Sequence, residues 1–169
     1  MADESGDGIT DVLHKLQPAS LLTLGEAVAG AVDAYLLMHP DCRHLHLTPA
    51  EAWSALRRQP LHRYALALAT EVVESLDKVA ARRLLAALRD LYAERLLLLV
   101  ALHGAESRNA GTREFAELLS LGLSAMGRCV TGRRVFRAYS FDLYDYKLTP
   151  DWLNSRHWAH PELFDKYWW

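Results

Sequence analysis

The sequence has few of the features that mark exported or membrane-spanning proteins. Its two cysteines, Cys42 and Cys129, lie far apart and in no paired motif. Its longest apolar run, Leu96 to Leu102, is far shorter than the roughly 20 residues that cross a membrane. The first residues, MADESGDGITD, are acidic and lack the apolar segment of a signal peptide. We therefore predict a cytoplasmic protein with no membrane span and with both thiols free.

An excess of either charge is also missing. The net charge is −2, and charged residues make up 24% of the chain. This balance excludes disorder along the whole length and general attraction to nucleic acid, so we regard nucleic acid as an unlikely partner. Apolar residues make up 51% of 169 residues, enough for the core of a single domain.

Glycine and proline are absent from residues 61–103. One helix over that range would be about 65 Å long, too long for a domain of this size. We therefore expect a break near residues 75–78, where Ser75 or Asp77 would cap a second helix that ends at Gly104.

Other segments also carry helical signals. Apolar residues from Leu21 to Tyr35 recur at helical steps. Thr48-Pro49-Ala50-Glu51 has the residues of a capping box, which predicts a helix to about Arg58, while residues 41–47 are expected to be extended. We predict a further helix over about 112–131. Residues 133–146 would suit a strand or a helix, and we favour the helix.

The usual signals of β-hairpins are missing. Together these observations predict an all-α, single-domain bundle of five to six helices. Residues 1–19 would form a flexible acidic leader, residues 20–148 the bundle, and residues 149–169 an aromatic-rich C-terminal arm.

Familiar catalytic motifs are missing as well. There is no glycine-rich phosphate loop, no HExxH, no CxxC pair, and no Glu-x-x-His pair of the kind that binds two iron ions in helical bundles. These absences favour a non-catalytic protein without a cofactor.

Three groups of residues keep other functions open. In an extended segment Cys42, His44 and His46 would share one face, and a thiolate with two imidazoles suits zinc or copper. Four arginines would suit an anion: Arg128, Arg133, Arg134 and Arg137. An enzyme with a pocket in the bundle would use Asp142 and Asp145, together with Tyr144 and Arg137.

The aromatic residues are concentrated near the C-terminus, with eleven of sixteen in residues 136–169. Chain ends are normally polar, so these rings must find cover on the bundle itself or on another subunit. The residues expected to bind a partner are Trp152, Trp158, Phe164, Tyr167, Trp168 and Trp169. The leading hypothesis is therefore a helical interaction protein (an accessory subunit, assembly factor or adaptor) that docks a partner or a second copy through this arm and the apolar helix at 96–102.

Overall fold

Six strands form one mixed sheet in the computed structural model, which describes residues 8–102, 116–131 and 134–145. The elements in chain order are α1 (Gly8–Leu16), β1 (Ser20–Leu24), α2 (Ala29–Met38), β2 (Arg43–Leu47), α3 (Pro49–Arg58), β3 (Leu66–Thr70), α4 (Val72–Ser75), α5 (Lys78–Ala87), a π-helical turn (Leu88–Tyr92), β4 (Arg95–Ala101), β5 (Ser124–Thr131) and β6 (Arg134–Asp142). Residues 116–120 are also helical. The prediction of an all-α bundle is therefore wrong.

The strand order is β2-β1-β3-β4-β6-β5. The first four strands along the sheet run parallel, whereas β6 is antiparallel to β4 and to β5. Helices connect the parallel strands and cover both faces of the sheet. One face packs against α1 and α2, and the other packs against α3, α4 and α5.

Burial on both faces explains why the sequence of the central strands predicts a helix. In β4, Leu96 and Leu98 belong to one core cluster while Leu97 and Leu99 belong to the other. A parallel strand covered on both faces is a continuous apolar run, and such a run has no period of two to distinguish it from a buried helix. The helix predicted up to Gly104 is therefore α5 and the π-helical turn followed by a strand.

The same correction applies to three other segments. The helix expected from Leu21 to Tyr35 is β1 followed by α2, since Gly25 separates the two. The segments expected to be helical near 112–131 and 133–146 contain β5 and β6. Residues 8–16, which lie in the expected leader, form α1, and Ile9 and Leu13 on it are buried.

Local signals predicted two helix starts correctly, those of α3 and α5. The Thr48 hydroxyl accepts from the backbone N–H of Glu51, and the Glu51 carboxylate accepts from the backbone N–H of Thr48, which confirms the capping box. Asp77 accepts from the amides of Val79 and Ala80 and caps α5, as predicted. Residues 43–47 are extended, and both cysteines are free thiols.

No helix within the described ranges is long and apolar enough to cross a membrane. The aromatic arm at 149–169 lies outside the described residues.

Candidate functional site

The parallel strands reverse their order at one point in the sheet. The chain passes from β1 to β2 at the edge and then returns to place β3 on the other side of β1. The connections on either side of such a switch point leave towards opposite faces, which opens a crevice at the carboxyl ends of the strands. The residues at those ends are therefore the first candidates for a binding site.

Gly25 forms the turn directly after β1. Its φ is +77°, in the left-handed region that glycine adopts without penalty. A Cβ atom at this position would lie 2.5 Å from Oγ1 of Thr70 and 2.6 Å from its carbonyl oxygen. Only glycine therefore lets the end of β1 approach the end of β3 this closely.

A cavity of about 220 Å³ opens beside this turn. We call it the switch-point cleft; it is lined by Thr23, Gly25, Glu26, Val28, Ala29, Val32, Asp33, His44 and His46. Its walls thus come from the end of β1, the following turn, the start of α2 and the exposed face of β2. The cleft is smaller than the roughly 300–1,000 Å³ of typical ligand pockets, so it is sized for part of a larger molecule.

A chain of hydrogen bonds crosses the cleft. The Thr23 hydroxyl lies 2.9 Å from Nε2 of His44 and 2.9 Å from Nδ1 of His46, and Nε2 of His46 lies 3.0 Å from a carboxylate oxygen of Glu26. Because a carboxylate only accepts, Nε2 of His46 carries the hydrogen, and Nδ1 of the neutral ring accepts from Thr23. The Thr23 oxygen then accepts from His44. Every donor in this chain points towards Glu26.

The electrostatics of the cleft favour neutral histidine at its inner end. Desolvation lowers the pKa of His44, the neighbouring His46 lowers it further, and Asp33 opposes both by raising it. A neutral His44 is the form that donates one hydrogen from Nε2 and keeps the direction of the chain.

Glu71 follows β3 at the same edge of the sheet. Its φ of +62° is unusual for a residue with a side chain. Its carboxylate accepts from the backbone N–H of Glu26 and from Arg134, each at 3.4 Å. Residues held in such conformations are concentrated at functional sites, which makes Glu71 a second candidate beside the cleft.

The predicted metal ligands lie near the cleft but do not form a metal site. His44 and His46 share a face of β2 and contact Thr23, while the Cys42 thiol donates to the carbonyl of Pro18 at 3.1 Å. In the part of the chain that the structure describes, no group of three histidine, cysteine or acidic side chains is arranged to hold a metal ion.

Of the candidate anion-binding arginines that the structure describes, Arg128 and Arg137 are register partners on β5 and β6, whereas Arg134 has a different partner. Arg134 pairs with Glu71, Arg128 lies exposed on the edge strand β5, and Arg137 lines a separate cavity between β6 and α5. Arg133 lies outside the described residues, as do Trp152, Trp158, Phe164, Tyr167, Trp168 and Trp169.

Asp142 holds two strands together at the end of β6. Its carboxylate accepts from Nε of Arg95 on β4 at 2.7 Å and from the backbone N–H of Tyr144 at 2.9 Å. Burial alone would raise the pKa of Asp142, but these two bonds, the charge of Arg95 and a further bond from the backbone of Asp145 outweigh it and hold that pKa below its ordinary value. A carboxylate held ionised in this way stabilises the β4–β6 pair, which is a structural role.

Sequence reasoning missed Gly25, Glu26 and Glu71. All three lie in segments that were assigned to helices. The available signal was the alternation of short leucine-rich runs with helical segments, since strands that alternate with helices indicate a parallel sheet. Gly25 at the end of the first such run marks the turn where a ligand site is expected.

The fold resembles that of known methyltransferases. The O-methyltransferase NcsB1 from neocarzinostatin biosynthesis, solved with S-adenosyl-L-homocysteine, has a TM-score of 0.53 at 17% identity over 80% of this chain and 53% of its own. Human N-acetylserotonin methyltransferase, solved with S-adenosylmethionine (SAM), has a TM-score of 0.53 at 13% identity over 79% of this chain and 50% of its own. The chain thus spans about half the length of these enzymes.

A smaller structure is matched over almost all of its length. The methyltransferase domain of a bacterial Hen1 protein has a TM-score of 0.51 at 12% identity, over 80% of this chain and 95% of that domain. These likenesses establish the fold. They overturn the prediction of a non-catalytic helical adaptor without a cofactor, because that prediction depended on a helical bundle and the fold is one that SAM-binding enzymes use.

Comparison by sequence gives one family. A family model described as a family of unknown function, DUF6231, matches residues 3–169. No curated protein matches the sequence.

Proposed function

The chain belongs to this family of unknown function, DUF6231, and we propose that it is a methyltransferase that binds SAM in the switch-point cleft. The observation that carries the proposal is the turn at Gly25, with Glu26 held by His46 beside it. Cytoplasmic location, which the free thiols favour, is part of the same proposal.

The position of the cleft supports a nucleoside ligand. In open sheets with this kind of strand reversal, nucleotide cofactors bind at the carboxyl ends of the strands, over the turn that follows the first strand. That turn here needs glycine, because a side chain would collide with Thr70. Gly25, Glu26 and Val28 of this turn line the cleft.

The side chains of the cleft fit the polar groups of SAM. An acidic residue about 20 positions after the glycine turn commonly accepts from the ribose hydroxyls in nucleotide-binding folds. His46 stands at that position, and it donates to Glu26 in the turn itself. Glu26 thus supplies the carboxylate, 70% of its side chain is exposed, and His46 orients it.

The cofactor carries positive charge, which the edge of the sheet is suited to receive. When bound, SAM supplies a methyl group on a positively charged sulfur. Glu26 and Asp33 line the cleft, and Glu71 lies next to it, so carboxylates are the dominant charged groups there. Opposite charges in a partly enclosed cleft attract each other more strongly than in water.

Glu71 is the residue that we assign to proton removal from the methyl acceptor. A hydroxyl, amine or thiol loses a proton when it is methylated, and a carboxylate at the site is able to take it. The Glu71 carboxylate makes two long contacts of 3.4 Å. Because a carboxylate has about four acceptor positions, it retains the capacity to accept from an acceptor molecule.

The test is calorimetric titration of the full chain with SAM and with S-adenosylhomocysteine. We expect both to bind, and Glu26→Gln to weaken both by about tenfold, the loss typical of a hydrogen bond to a charged group. The matched control is Asp41→Asn, which removes an exposed carboxylate at the opposite end of β2. It should leave both affinities unchanged.

Two results would reject the proposal. One is that neither ligand binds the unaltered protein. The other is that Glu26→Gln and Asp41→Asn weaken binding equally, since a general loss of negative charge would then explain the effect.

A further inference from the structure

A second cavity, of about 370 Å³, lies between α5 and the strands β4 and β6. Most of its wall is aliphatic, including Val73, Leu76, Leu85, Val100 and Leu118. We call it the aliphatic cavity. Its volume is within the range of small-molecule sites, and such sites combine apolar walls with a few polar groups that orient the ligand.

The charged groups of the aliphatic cavity do not balance. Among the residues that the structure describes, Lys78, Arg82 and Arg137 line it together with one acid, Glu117. Glu117 already forms an ion pair with Lys78 at the rim. The two arginines therefore leave an excess of positive charge, of which Arg82 is exposed to solvent and Arg137 is only partly exposed.

Arg137 is the more informative of the two. It lies within β6, and its register partners are Val100 on one side and another cation, Arg128, on the other. Among residues 8–102, 116–131 and 134–145, no carboxylate lies within ion-pair distance of its guanidinium. A partly desolvated guanidinium in an apolar wall is unfavourable until an anion pairs with it, and a planar oxyanion is the group it pairs with best.

The structure assigns the aliphatic cavity to a small molecule that is apolar over most of its surface and carries one carboxylate or similar oxyanion, held by Arg137. Leucine and valine side chains bury the apolar part, and the guanidinium fixes the end that carries the charge. This assignment follows from the walls and charges of the cavity alone.

The cavity reaches the same carboxyl edge of the sheet as the proposed site of methyl transfer, although most of its wall belongs to the opposite face. Ala101 and Leu102, at the carboxyl end of β4, belong to its wall. The backbone N–H of Ala101 donates to Glu74 at 2.7 Å, and Glu74 lies three residues after Glu71 at the end of β3. We therefore identify the apolar anion as the class of the methyl acceptor, a step that rests on the proposed function.

Two fluorescent probes separate charge from apolar character. 8-Anilinonaphthalene-1-sulfonate is apolar and anionic, and N-phenyl-1-naphthylamine has the same rings without the sulfonate. Both should bind the unaltered protein at one site. Arg137→Gln should weaken the sulfonate at least tenfold and leave the uncharged probe within twofold. The control Arg58→Gln, at the exposed end of α3 and outside the lining of the cavity, should change neither.

Circular dichroism of each variant shows whether it keeps the native fold. The inference fails if neither probe binds, if Arg137→Gln leaves the sulfonate affinity unchanged, or if it weakens both probes equally. Arg137→Lys is a second variant: it keeps the charge without the planar fork, and it should restore part of the sulfonate affinity.

Titration of Arg137→Gln with S-adenosylhomocysteine separates this inference from the proposed function. We expect its affinity to equal that of the unaltered protein, because Arg137 does not line the switch-point cleft. If the unaltered protein binds S-adenosylhomocysteine but not the sulfonate probe, the assignment of the aliphatic cavity is rejected and the proposed function is kept. The reverse result would keep the anion site and reject its role as a methyl-acceptor site.

Discussion

The switch-point cleft and the aliphatic cavity lie near the same edge of the sheet but are built from opposite chemistry. The cleft has polar side chains whose hydrogen bonds are satisfied by one another, in the order His44, Thr23, His46 and Glu26. The cavity has mostly aliphatic walls and contains Arg137, whose guanidinium has no carboxylate within ion-pair distance among the described residues. The switch-point cleft is organised in advance for a polar ligand. In the aliphatic cavity, the ligand has to supply the negative charge that pairs with Arg137.

The largest effect on stability should come from adding a side chain at the turn beside the switch-point cleft. Gly25→Ala places a Cβ atom 2.5 Å from Thr70 and forces a side chain into the left-handed region. We expect a loss of about 3 kcal/mol of unfolding free energy, since the strain and the steric overlap add. Urea denaturation followed by circular dichroism measures it.

Gly30→Ala is the matched control for that change. Gly30 lies within α2, and a Cβ there has no atom within 4 Å. Alanine is the better helix former, so this variant should be as stable as the unaltered protein or more stable by up to about 1 kcal/mol. Equal destabilisation by both substitutions would show that the turn at Gly25 has no special requirement.

A smaller loss of stability is expected from weakening the ion pair between β4 and β6. These two strands form one wall of the aliphatic cavity. Asp142→Asn removes the charge that pairs with Arg95, and both side chains are about one-third exposed. We expect a loss of about 1 kcal/mol at pH 7, near the upper limit for a solvent-screened pair. Thermal unfolding of the variant and the unaltered protein provides the comparison.

The sign of the pH dependence follows from the depressed pKa of Asp142. The unfolded carboxyl binds a proton more readily than the folded one. The contribution of Asp142 to the free energy of unfolding is therefore complete above about pH 4, near the ordinary pKa of aspartate. It is lost as the pH falls through the folded pKa. Asp142→Asn should therefore lose less stability than the unaltered protein on acidification below pH 4. Parallel curves would contradict the assignment.

The smallest effect is a change in the pH dependence of stability, and it comes from the hydrogen-bond chain of the switch-point cleft. Desolvation and His46 lower the pKa of His44, and Asp33 only partly opposes them. The unfolded histidine takes up a proton first, so the folded protein loses stability as the pH falls below about 6.5. His44→Gln should reduce this loss between pH 7.5 and 5.5, measured as unfolding temperature.

His14→Gln, on the exposed surface of α1, is the control for that experiment. It should keep the pH dependence of the unaltered protein. If His44→Gln and His14→Gln behave alike, the chain from His44 to Glu26 does not control protonation in the cleft.

Local sequence signals predicted the starts of helices but not the sheet. Thr48 and Asp77 cap helices through atoms that lie within three residues along the chain, so the sequence alone contains the information. Leu96 to Leu99 give no such signal, because their partners in the ladder are Ala67 to Thr70 on one side and Ala138 to Phe141 on the other. The prediction of helix failed for segments whose strand partners lie far away in the sequence.

The candidate site was predicted in part. Cys42, His44 and His46 were predicted to share one face of an extended segment as zinc or copper ligands; His44 and His46 both contact Thr23, and within the described ranges no group of three side chains is arranged to hold a metal ion. The partners of the two histidines are Thr23 and Glu26, about 20 residues earlier in the chain. Arg137 was one of four arginines predicted to bind an anion, and the fold places it in the wall of the aliphatic cavity, with Arg128 as its register partner.

The sequence by itself determined the features that depend on neighbouring residues: the capped helices α3 and α5, the extended segment at β2 and a core large enough for one domain. Tertiary structure decided the identity of the leucine-rich segments, the left-handed turn at Gly25 and the meeting of His46 with Glu26. The physical reason is distance along the chain. A cap closes within one helical turn, whereas a parallel strand becomes stable only when residues more than 20 positions away lie beside it.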